Sequence, residues 1–371
     1  MSFRSNLNLN LKNAFLGVRT RRKIVVFDID DYGNVRLHSK QARANLDKAG
    51  SRSHSGFDEF DSLETNDDFD ALFAVLRSVK DKHGNPAKFT AYTLPANINF
   101  EAMAQAGYQE YVYELLPETL DKLGPAYDQV MNYWRQGMQE GLIHPEFHGR
   151  EHLHVKLIME KLKLKDKEVL TCFQNRSLAR ISSGPMKNVS WNCAFDFDRF
   201  EENEQHGQTI IDGLRAFFKV FNFHPLVFCA PGSSSHHVLF EVACQNGIKF
   251  VESQLLQKEH QGNGRFKRRL NYTGKKAATG GWHIVRNCVF EPNAPMPFDW
   301  VSNVLKQIEV AFRWRKPAII SSHRVNFCGH IDEKNRENGL SKLQELLQQI
   351  VRRWPDVEFM STAEMAQAIG L

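Results

Sequence analysis

Apolar and polar positions along this chain follow two different periods. Short apolar runs of strand length are separated by longer stretches in which apolar residues recur with the period of one helical face. Thr65 to Asp68 has the pattern of a capping box, and the helix that it opens has an apolar face made of Phe69, Leu72, Phe73 and Leu76. The strand KFTAYTL follows after the turn HGNP. This pattern predicts repeated β-α units.

Two later segments repeat the order of helix, proline, apolar strand and polar exit. The predicted helices have apolar faces made of Ile210, Leu214, Phe217, Phe218 and Phe221, and of Leu305, Ile308 and Phe312. Their strands, LVFCA and PAIISS, end in PGSSSHH and at His323. A last helix, Leu340 to Val351, precedes the strand VEFM and a capping-box start at residues 361–364. Polar residues at strand exits are typical of barrels, so we predict an α/β fold built as a distorted (β/α) barrel.

The predicted domain organisation follows from the absence of linkers between the repeated β-α units. The sequence shows no Pro-rich or Ser-rich linker and no internal repeat. We therefore predict an N-terminal arm, residues 1–22, and a single domain, residues 23–371. The basic, glycine-containing run from Gln257 to Gly281 predicts an insertion around residues 257–292.

Composition and charge argue against several classes of protein. The 371 residues can bury a substantial core, and a net charge of +5 is too small to indicate a nucleic-acid partner. The six cysteines form no C-x-x-C pair, which argues against a zinc ribbon or a disulfide framework. The first residues lack a signal-peptide core, and no segment has the uncharged length of a membrane helix. We predict a cytoplasmic protein without a membrane span.

The stretch KIVVFDIDDYGN, residues 23–34, carries three acids where a buried strand ends. Such a strand end is where α/β enzymes place reactive groups. In one interpretation it resembles a haloacid-dehalogenase-type phosphatase, with Asp28 as the nucleophile, Asp30 as the acid, and Asp332 with Glu333 as a weak candidate pair for magnesium. In another, Asp30 and Asp31 work together, one activating water and one binding a metal. The acids could also be solvated turn residues.

Histidines favour the metal interpretation. The segment HPEFHGREHLH, residues 144–154, contains four of them, and the i, i+4 spacing of His148 and His152 predicts two imidazoles on one side of a helical turn. A carboxylate and two imidazoles leave open positions on Zn²⁺, as hydrolysis requires. The alternative is a solvated histidine-rich loop.

In their order along the chain, these motifs resemble the polysaccharide deacetylase superfamily, which includes chitin and peptidoglycan deacetylases. The family pattern consists of a strand ending Asp-Asp, H-x-x-x-H, an R-x-P-Y loop, Asp-Trp and a late strand ending L-x-H. The corresponding positions here are Asp30-Asp31, His148 to His152, Cys229 to Gly232, Asp299-Trp300, and Ser321 to His323.

The resemblance implies a hydrolase that removes an acetyl group from a carbohydrate or glycan. It implies one divalent metal, with Zn²⁺ as the expected ion, held by Asp31, His148 and His152. Asp30 is the implied base and His323 the implied acid. The loop at Pro231 and Gly232 is implied to stabilise the oxyanion.

The sequence departs from the family at the residue that steadies the base, where Cys229 stands in place of arginine. Arg286 and Arg324 are the candidate substitutes; otherwise the base is tuned differently. Glu252 could occupy the strand end assigned to Asp299 and Trp300. Loss of the arginine also leaves open a glycan-binding protein without turnover.

Overall fold

The computed structural model describes residue 10 and residues 13–14, 16–51, 55–179, 181–184, 186, 188–232, 235–277 and 280–371. Most of the predicted arm, residues 1–22, lies outside the described residues. Its described end contacts the rest of the chain, because the indole N–H of Trp314 donates to Asn10 and the ammonium of Lys316 donates to the carbonyl of Val18.

One parallel sheet forms the centre of the molecule. In chain order its nine strands in the described part are β1 (Lys23–Tyr32), β2 (Phe89–Thr93), β5 (Ile143–Phe147), β6 (Val227–Phe228), β7 (Phe250–Glu252), β10 (Trp282–Ile284), β11 (Cys288–Val289), β12 (Ala318–His323) and β13 (Val357–Phe359). They are arranged as β10-β7-β6-β5-β2-β1-β12-β11, and β13 pairs with the start of β1. Because the pairs are parallel, the carboxyl ends of all these strands meet at one edge.

The two outermost strands of this order are neighbours in sequence. Only residues 285–287 connect β10 to β11, so their ends lie at most about 14 Å apart. In a flat sheet, eight strands in a row would separate the outermost two by roughly 34 Å. The sheet is therefore curled until its two edges nearly meet, and the predicted distorted (β/α) barrel is confirmed.

Helices surround the sheet. In the described residues they are α1 (Lys40–Lys48), α2 (Gly56–Phe60), α3 (Asn66–Arg77), α4 (Phe100–Gln105), α5 (Leu116–Asp121), α6 (Val130–Gln139), α7 (Val155–Lys163), α8 (Lys167–Gln174), α9 (Glu202–Phe221), α10 (His237–Gln245), α11 (Trp300–Arg313), α12 (Glu333–Arg353) and α13 (Thr362–Ala368). A 3-10 turn, Arg324–Asn326, follows β12.

The predicted helices are present, with two corrections. The capping boxes that open α3 and α13 are formed, and the predicted apolar face of α3 is buried. Phe218 was predicted on the core face of α9, but its side chain lies at the border of the apolar stripe and is 40% exposed. The last long helix begins at Glu333 and not at Leu340, because Asp332 caps a first stretch that has no apolar periodicity.

In the described residues, two antiparallel strand pairs lie outside the sheet: β3 (Ala96–Ile98) with β4 (Tyr113–Leu115), and the hairpin of β8 (Leu256–His260) with β9 (Phe266–Leu270). The second lies in the insertion predicted around residues 257–292. However, β10 and β11 from the same range belong to the main sheet, so only the first part of that range is outside it. The single domain predicted for residues 23–371 stays a prediction.

No helix in the described part of the chain combines the length and apolar character that a membrane crossing requires. The cytoplasmic location stays a prediction.

Candidate metal and acid-base site

Two consecutive carboxylates leave β1 toward the same region. In a regular strand successive side chains point to opposite faces. Here the pairing of β1 with β2 shifts register between Ile29 and Tyr32, and Asp31 has a left-handed backbone with φ of 76°. This bulge allows Asp30 and Asp31 to approach the same group, because each has a carboxylate oxygen within 4.8 Å of a ligand atom of His148.

The structure brings Asp31, His148 and His152 together. A carboxylate oxygen of Asp31 lies 3.4 Å from Nε2 of His148 and 3.3 Å from Nε2 of His152. His148 directly follows β5, and its Nδ1 lies 2.7 Å from the carbonyl oxygen of Cys229. A proton on Nδ1 donated to that carbonyl leaves the Nε2 lone pair directed at Asp31. The predicted helical turn was wrong, because both histidines lie in the loop between β5 and α7.

These three side chains fit a single divalent ion. Ligand atoms bound to one tetrahedral Zn²⁺ at about 2.1 Å lie roughly 3.4 Å apart, close to both measured separations. Burial lowers the pKa of His152 to about 4, against the opposing effect of Asp31, so its ring is neutral near pH 7. Burial raises the pKa of Asp31, but the charge of His152 and the hydrogen bond of His148, which these rings provide when they are protonated, outweigh burial and hold this pKa well below its usual value. A neutral imidazole and an ionised carboxylate are the forms that bind metals.

The two terminal nitrogens of the Arg286 guanidinium group both donate hydrogen bonds to the carboxylate of Asp30. The distances are 2.7 Å from Nη1 to Oδ2 and 2.6 Å from Nη2 to Oδ1. Arg286 lies between β10 and β11, where the two edges of the curled sheet approach each other. Arg286 and Arg324 were the two candidates to replace the family arginine that is absent at Cys229. Of these two, Arg286 contacts the candidate base.

Arg286 also contacts two further buried acids. Its Nε lies 3.4 Å from Asp28 and 3.5 Å from Glu252, which ends β7. The hydroxyl of Thr362 donates to Asp28, and burial raises the pKa of Asp28 to about 7 despite Arg286.

This environment does not favour a phosphatase. Asp28 is completely buried, so a phosphate group has no path to it. Asp332, which that interpretation assigned to magnesium with Glu333, accepts the backbone N–H of Lys334 as the cap of α12.

His323 ends β12 beside this pair. Its Nε2 lies 3.8 Å from Asp30, and its Nδ1 lies 2.7 Å from Glu291, a residue that no sequence motif indicated. Burial lowers the pKa of His323, but Glu291, Asp30 and Asp31 outweigh burial and raise it to about 10. The ring of Phe57 packs edge-on against the imidazole at 4.9 Å. His323 is therefore a cation near pH 7 and a competent proton donor.

A cavity of about 770 Å³ lies next to two side chains that contact His323, although His323 itself is not part of its lining. Phe57 and Glu291, the two neighbours of the imidazole, are part of its lining. Apolar side chains and amides provide much of the rest, including Phe60, Pro295, Asn293 and Asn326.

Pro231 and Gly232, predicted to stabilise the oxyanion, lie in the loop that follows β6. Pro231 and Gly232 continue the chain from Cys229, and a Cβ at Gly149 would lie 3.3 Å from Pro231, so this loop packs against the one that carries both histidines. The next two residues, 233 and 234, lie outside the described part of the chain.

The structure does not bring Asp299 and Trp300 to the site. Asp299 is exposed and caps α11 by accepting the backbone N–H groups of Val301 and Ser302. Trp300 is the first residue of that helix. Glu252, at the end of β7, occupies the strand end that the sequence comparison had given to Asp299 and Trp300. This is the alternative that the sequence left open.

Arg324 is buried away from the proposed ligands. Its guanidinium donates to Asp61 at 2.8 Å and to Glu64 at 3.0 Å. The carboxylate of Glu64 also accepts the backbone N–H of Gly33 at 3.1 Å. Arg324 and Glu64 thus connect the turn after Asp31 to the segment after His323.

No protein-family model and no curated protein matches the sequence. Solved structures do match over most of the chain. The α-amylase AmyC from Thermotoga maritima matches with a TM-score of 0.48 and 10% identity, over 93% of this chain and 74% of that one. The Puue allantoinase matches with a TM-score of 0.45 and 12% identity, over 94% and 90% of the two chains.

A family 4 carbohydrate esterase from Streptomyces lividans matches with a TM-score of 0.35 and 10% identity, over 90% of each chain. A peptidoglycan deacetylase and this carbohydrate esterase are among the matching structures, and to that extent the resemblance to polysaccharide deacetylases is confirmed. These TM-scores are below 0.5, so the matches assign neither an activity nor a residue role to this chain.

Proposed function

We propose that this protein is a metal-dependent hydrolase that removes an acyl group, most simply acetyl, from a carbohydrate or glycan. The observation that supports it most strongly is the grouping of Asp31, His148 and His152 beside an arginine-paired Asp30 and a protonated His323. This grouping supplies a metal site, a base and an acid within one cluster.

We assign Asp31, His148 and His152 as ligands of one divalent ion, with Zn²⁺ as the proposed metal. Two imidazoles and one carboxylate also suit other transition metals, so the metal has to be measured. A divalent ion held there would polarise the acyl carbonyl and lower the pKa of water.

Asp30 is the proposed general base. Burial raises its pKa, but Arg286 outweighs burial and lowers it, so the carboxylate is ionised and can accept a proton from the attacking water. The bidentate contact with Arg286 also fixes the orientation of the carboxylate, which makes Arg286 a positioning residue.

His323 is the proposed general acid. As the bond between the acyl carbon and the sugar nitrogen or oxygen breaks, Nε2 of His323 donates its proton to the departing amine or hydroxyl. Glu291 holds the ring by Nδ1 and stabilises the cation. Water thus adds its oxygen to the acyl group, which leaves as a carboxylic acid, and the sugar leaves with the proton from His323.

The cavity beside His323 is the proposed place for the sugar. Phe57 and Phe60 offer apolar faces to ring C–H groups, and the amides of Asn293 and Asn326 lie on its lining. The geometry does not choose between N-acyl and O-acyl substrates.

The test is release of acetate from N-acetylated and O-acetylated oligosaccharides by metal-loaded protein. We expect release by the wild type, and a loss of roughly a hundredfold or more in Asp30→Asn and in His323→Gln. Asp356→Asn, at an exposed ion pair with Lys23, is the matched control and should retain activity. Glycan binding without acetate release under any metal would instead identify a binding protein.

A further inference from the structure

The hairpin of β8 and β9 carries a surface that the proposed activity does not use. It begins four residues after Glu252, the last residue of β7. Because β7 ends at the edge of the sheet that holds the candidate site, the base of the hairpin lies within about 14 Å of Glu252.

One face of the hairpin combines apolar and basic side chains. The directly opposed pairs Leu256 with Leu270, Lys258 with Arg268, and His260 with Phe266 share one face of the ladder. On it, Leu256 is 60% exposed, Phe266 50% and Leu270 46%, whereas His260 is buried. Lys258 and Arg268 are exposed between them. Apolar side chains that lie together on one exposed face, and not scattered singly, mark a candidate interaction surface.

The charge of the chain is concentrated here. Residues 256–277 contain seven Lys or Arg and one acid, a net charge of +6, whereas the entire chain has +5. The one acid, Glu259, is buried and already paired with Arg269. Across the described residues, no acidic side chain forms an ion pair with Lys258, Lys267 or Arg268. The modest net charge of the whole chain conceals this local excess.

We propose that this face of the hairpin docks on a membrane surface rich in anionic phospholipids. Basic side chains are attracted to such a surface, and apolar side chains gain further by entering the boundary between headgroups and acyl chains. A soluble polyanion would pair with the lysines and arginines but would leave Leu256 and Leu270 in water. The combination therefore favours a bilayer over nucleic acid or an acidic glycan.

Docking in this way holds the carboxyl edge of the sheet near the bilayer. The proposal does not depend on the proposed activity, because binding to vesicles is measured without any substrate.

The test is sedimentation of the full chain with vesicles at about 0.1 M salt, where charges farther apart than about 10 Å are screened. Vesicles of phosphatidylcholine alone are compared with vesicles that also contain phosphatidylglycerol. We expect binding to the second kind only. Absence of binding to the anionic vesicles would overturn the proposal.

Charge-reversal variants test whether the basic side chains of this face contribute to vesicle binding. Lys258→Glu with Arg268→Glu should weaken binding by about tenfold or more. Lys219→Glu with Lys306→Glu makes the same change of charge at exposed positions of α9 and α11, and should bind like the wild type apart from a small effect of net charge.

The apolar side chains are tested at constant charge. Leu256→Ser, Phe266→Ser and Leu270→Ser combined should reduce binding to the anionic vesicles, whereas Phe218→Ser on α9 should not. If the triple variant binds as tightly as the wild type, and dextran sulfate displaces both from the vesicles, the partner is a soluble polyanion and the membrane proposal is wrong.

Discussion

At the scale of single residues, the candidate site depends on charged side chains that are far apart in sequence. Asp30 and Arg286 form a bidentate pair although 256 positions separate them. His323 pairs with Glu291 in the same way, over 32 positions. Each pair fixes both the orientation and the protonation state of a group with a proposed part in proton transfer.

Replacing Arg286 by lysine tests the first pair. Lysine keeps the positive charge that the buried acids require but cannot make two parallel hydrogen bonds to Asp30. We expect kcat to fall by roughly tenfold to a hundredfold, with an unchanged metal content. Arg313→Lys, at an exposed ion pair with Glu309, is the control and should leave kcat unchanged. An unchanged kcat in Arg286→Lys would show that the pair only supports the fold.

Replacing Glu291 by glutamine tests the second pair through pH. Glu291 is the largest of the groups that raise the pKa of His323 to about 10. Without this carboxylate the imidazolium loses its proton at a lower pH, so the alkaline limb of the kcat profile should move to lower pH by roughly one unit or more.

Glu309→Gln, at an exposed position of α11, is the matched control for that profile. An alkaline limb that does not move in Glu291→Gln would contradict the assignment of His323 as the acid.

The residue scale also shows what the sequence could and could not predict. Asp30, Asp31, His148, His152 and His323 could be predicted as candidates because each lies in a short motif, and the structure brings these candidates together. Glu291 was missed because it is a lone acid after a two-residue strand, and only the pairing of β11 with β12 brings it to His323.

At the scale of elements, the end of β1 determines the geometry of the candidate metal site. Asp31 has a left-handed backbone, and the turn continues through Gly33 with φ of 78°. Strained backbone of this kind persists only where neighbours hold it. Here Glu64 accepts the N–H of Gly33, and Asn97 donates to its carbonyl.

Replacing Gly33 by alanine tests this support. A Cβ at residue 33 would lie 2.4 Å from the carbonyl oxygen of Leu94, so the turn would have to shift. We expect the free energy of unfolding, measured by urea denaturation, to fall by roughly 3 kcal/mol or more, with weaker metal binding.

Gly84 provides a matched control. It has a φ of 82°, but a Cβ there would meet no atom within 4 Å. Gly84→Ala should therefore cost only the backbone term of roughly 1–2 kcal/mol, with unchanged metal binding. Equal effects of the two substitutions would contradict the role given to the turn.

Local patterns predicted most elements correctly because their causes are local. The capping box at Thr65 and the apolar face of α3 depend on residues within one helix. The spacing of His148 and His152 was misinterpreted as helical, because the same spacing fits a loop that brings both rings to the carboxylate of Asp31. A tertiary contact, from Nδ1 of His148 to the carbonyl of Cys229, orients the imidazole of His148 in this loop.

At the scale of the whole molecule, the curled sheet brings the site together. The seam between β10 and β11 places Arg286 against β1, and the common carboxyl edge collects Asp31 from β1, His148 from beyond β5 and His323 from β12. The sequence predicted the class of fold from its repeated units. It could not predict where the barrel stays open, because that depends on pairing between distant strands.

The most direct test of the central claim is the metal content of the purified chain, measured by elemental analysis after reconstitution and removal of loosely bound ions. The wild type should hold about one equivalent of a transition metal, and Asp31→Asn, His148→Ala and His152→Ala should each lose it. His144→Ala, from the same histidine-rich segment but with its ring beside Glu146, should hold as much as the wild type. No metal in the wild type, or equal metal in the ligand variants, would contradict the account.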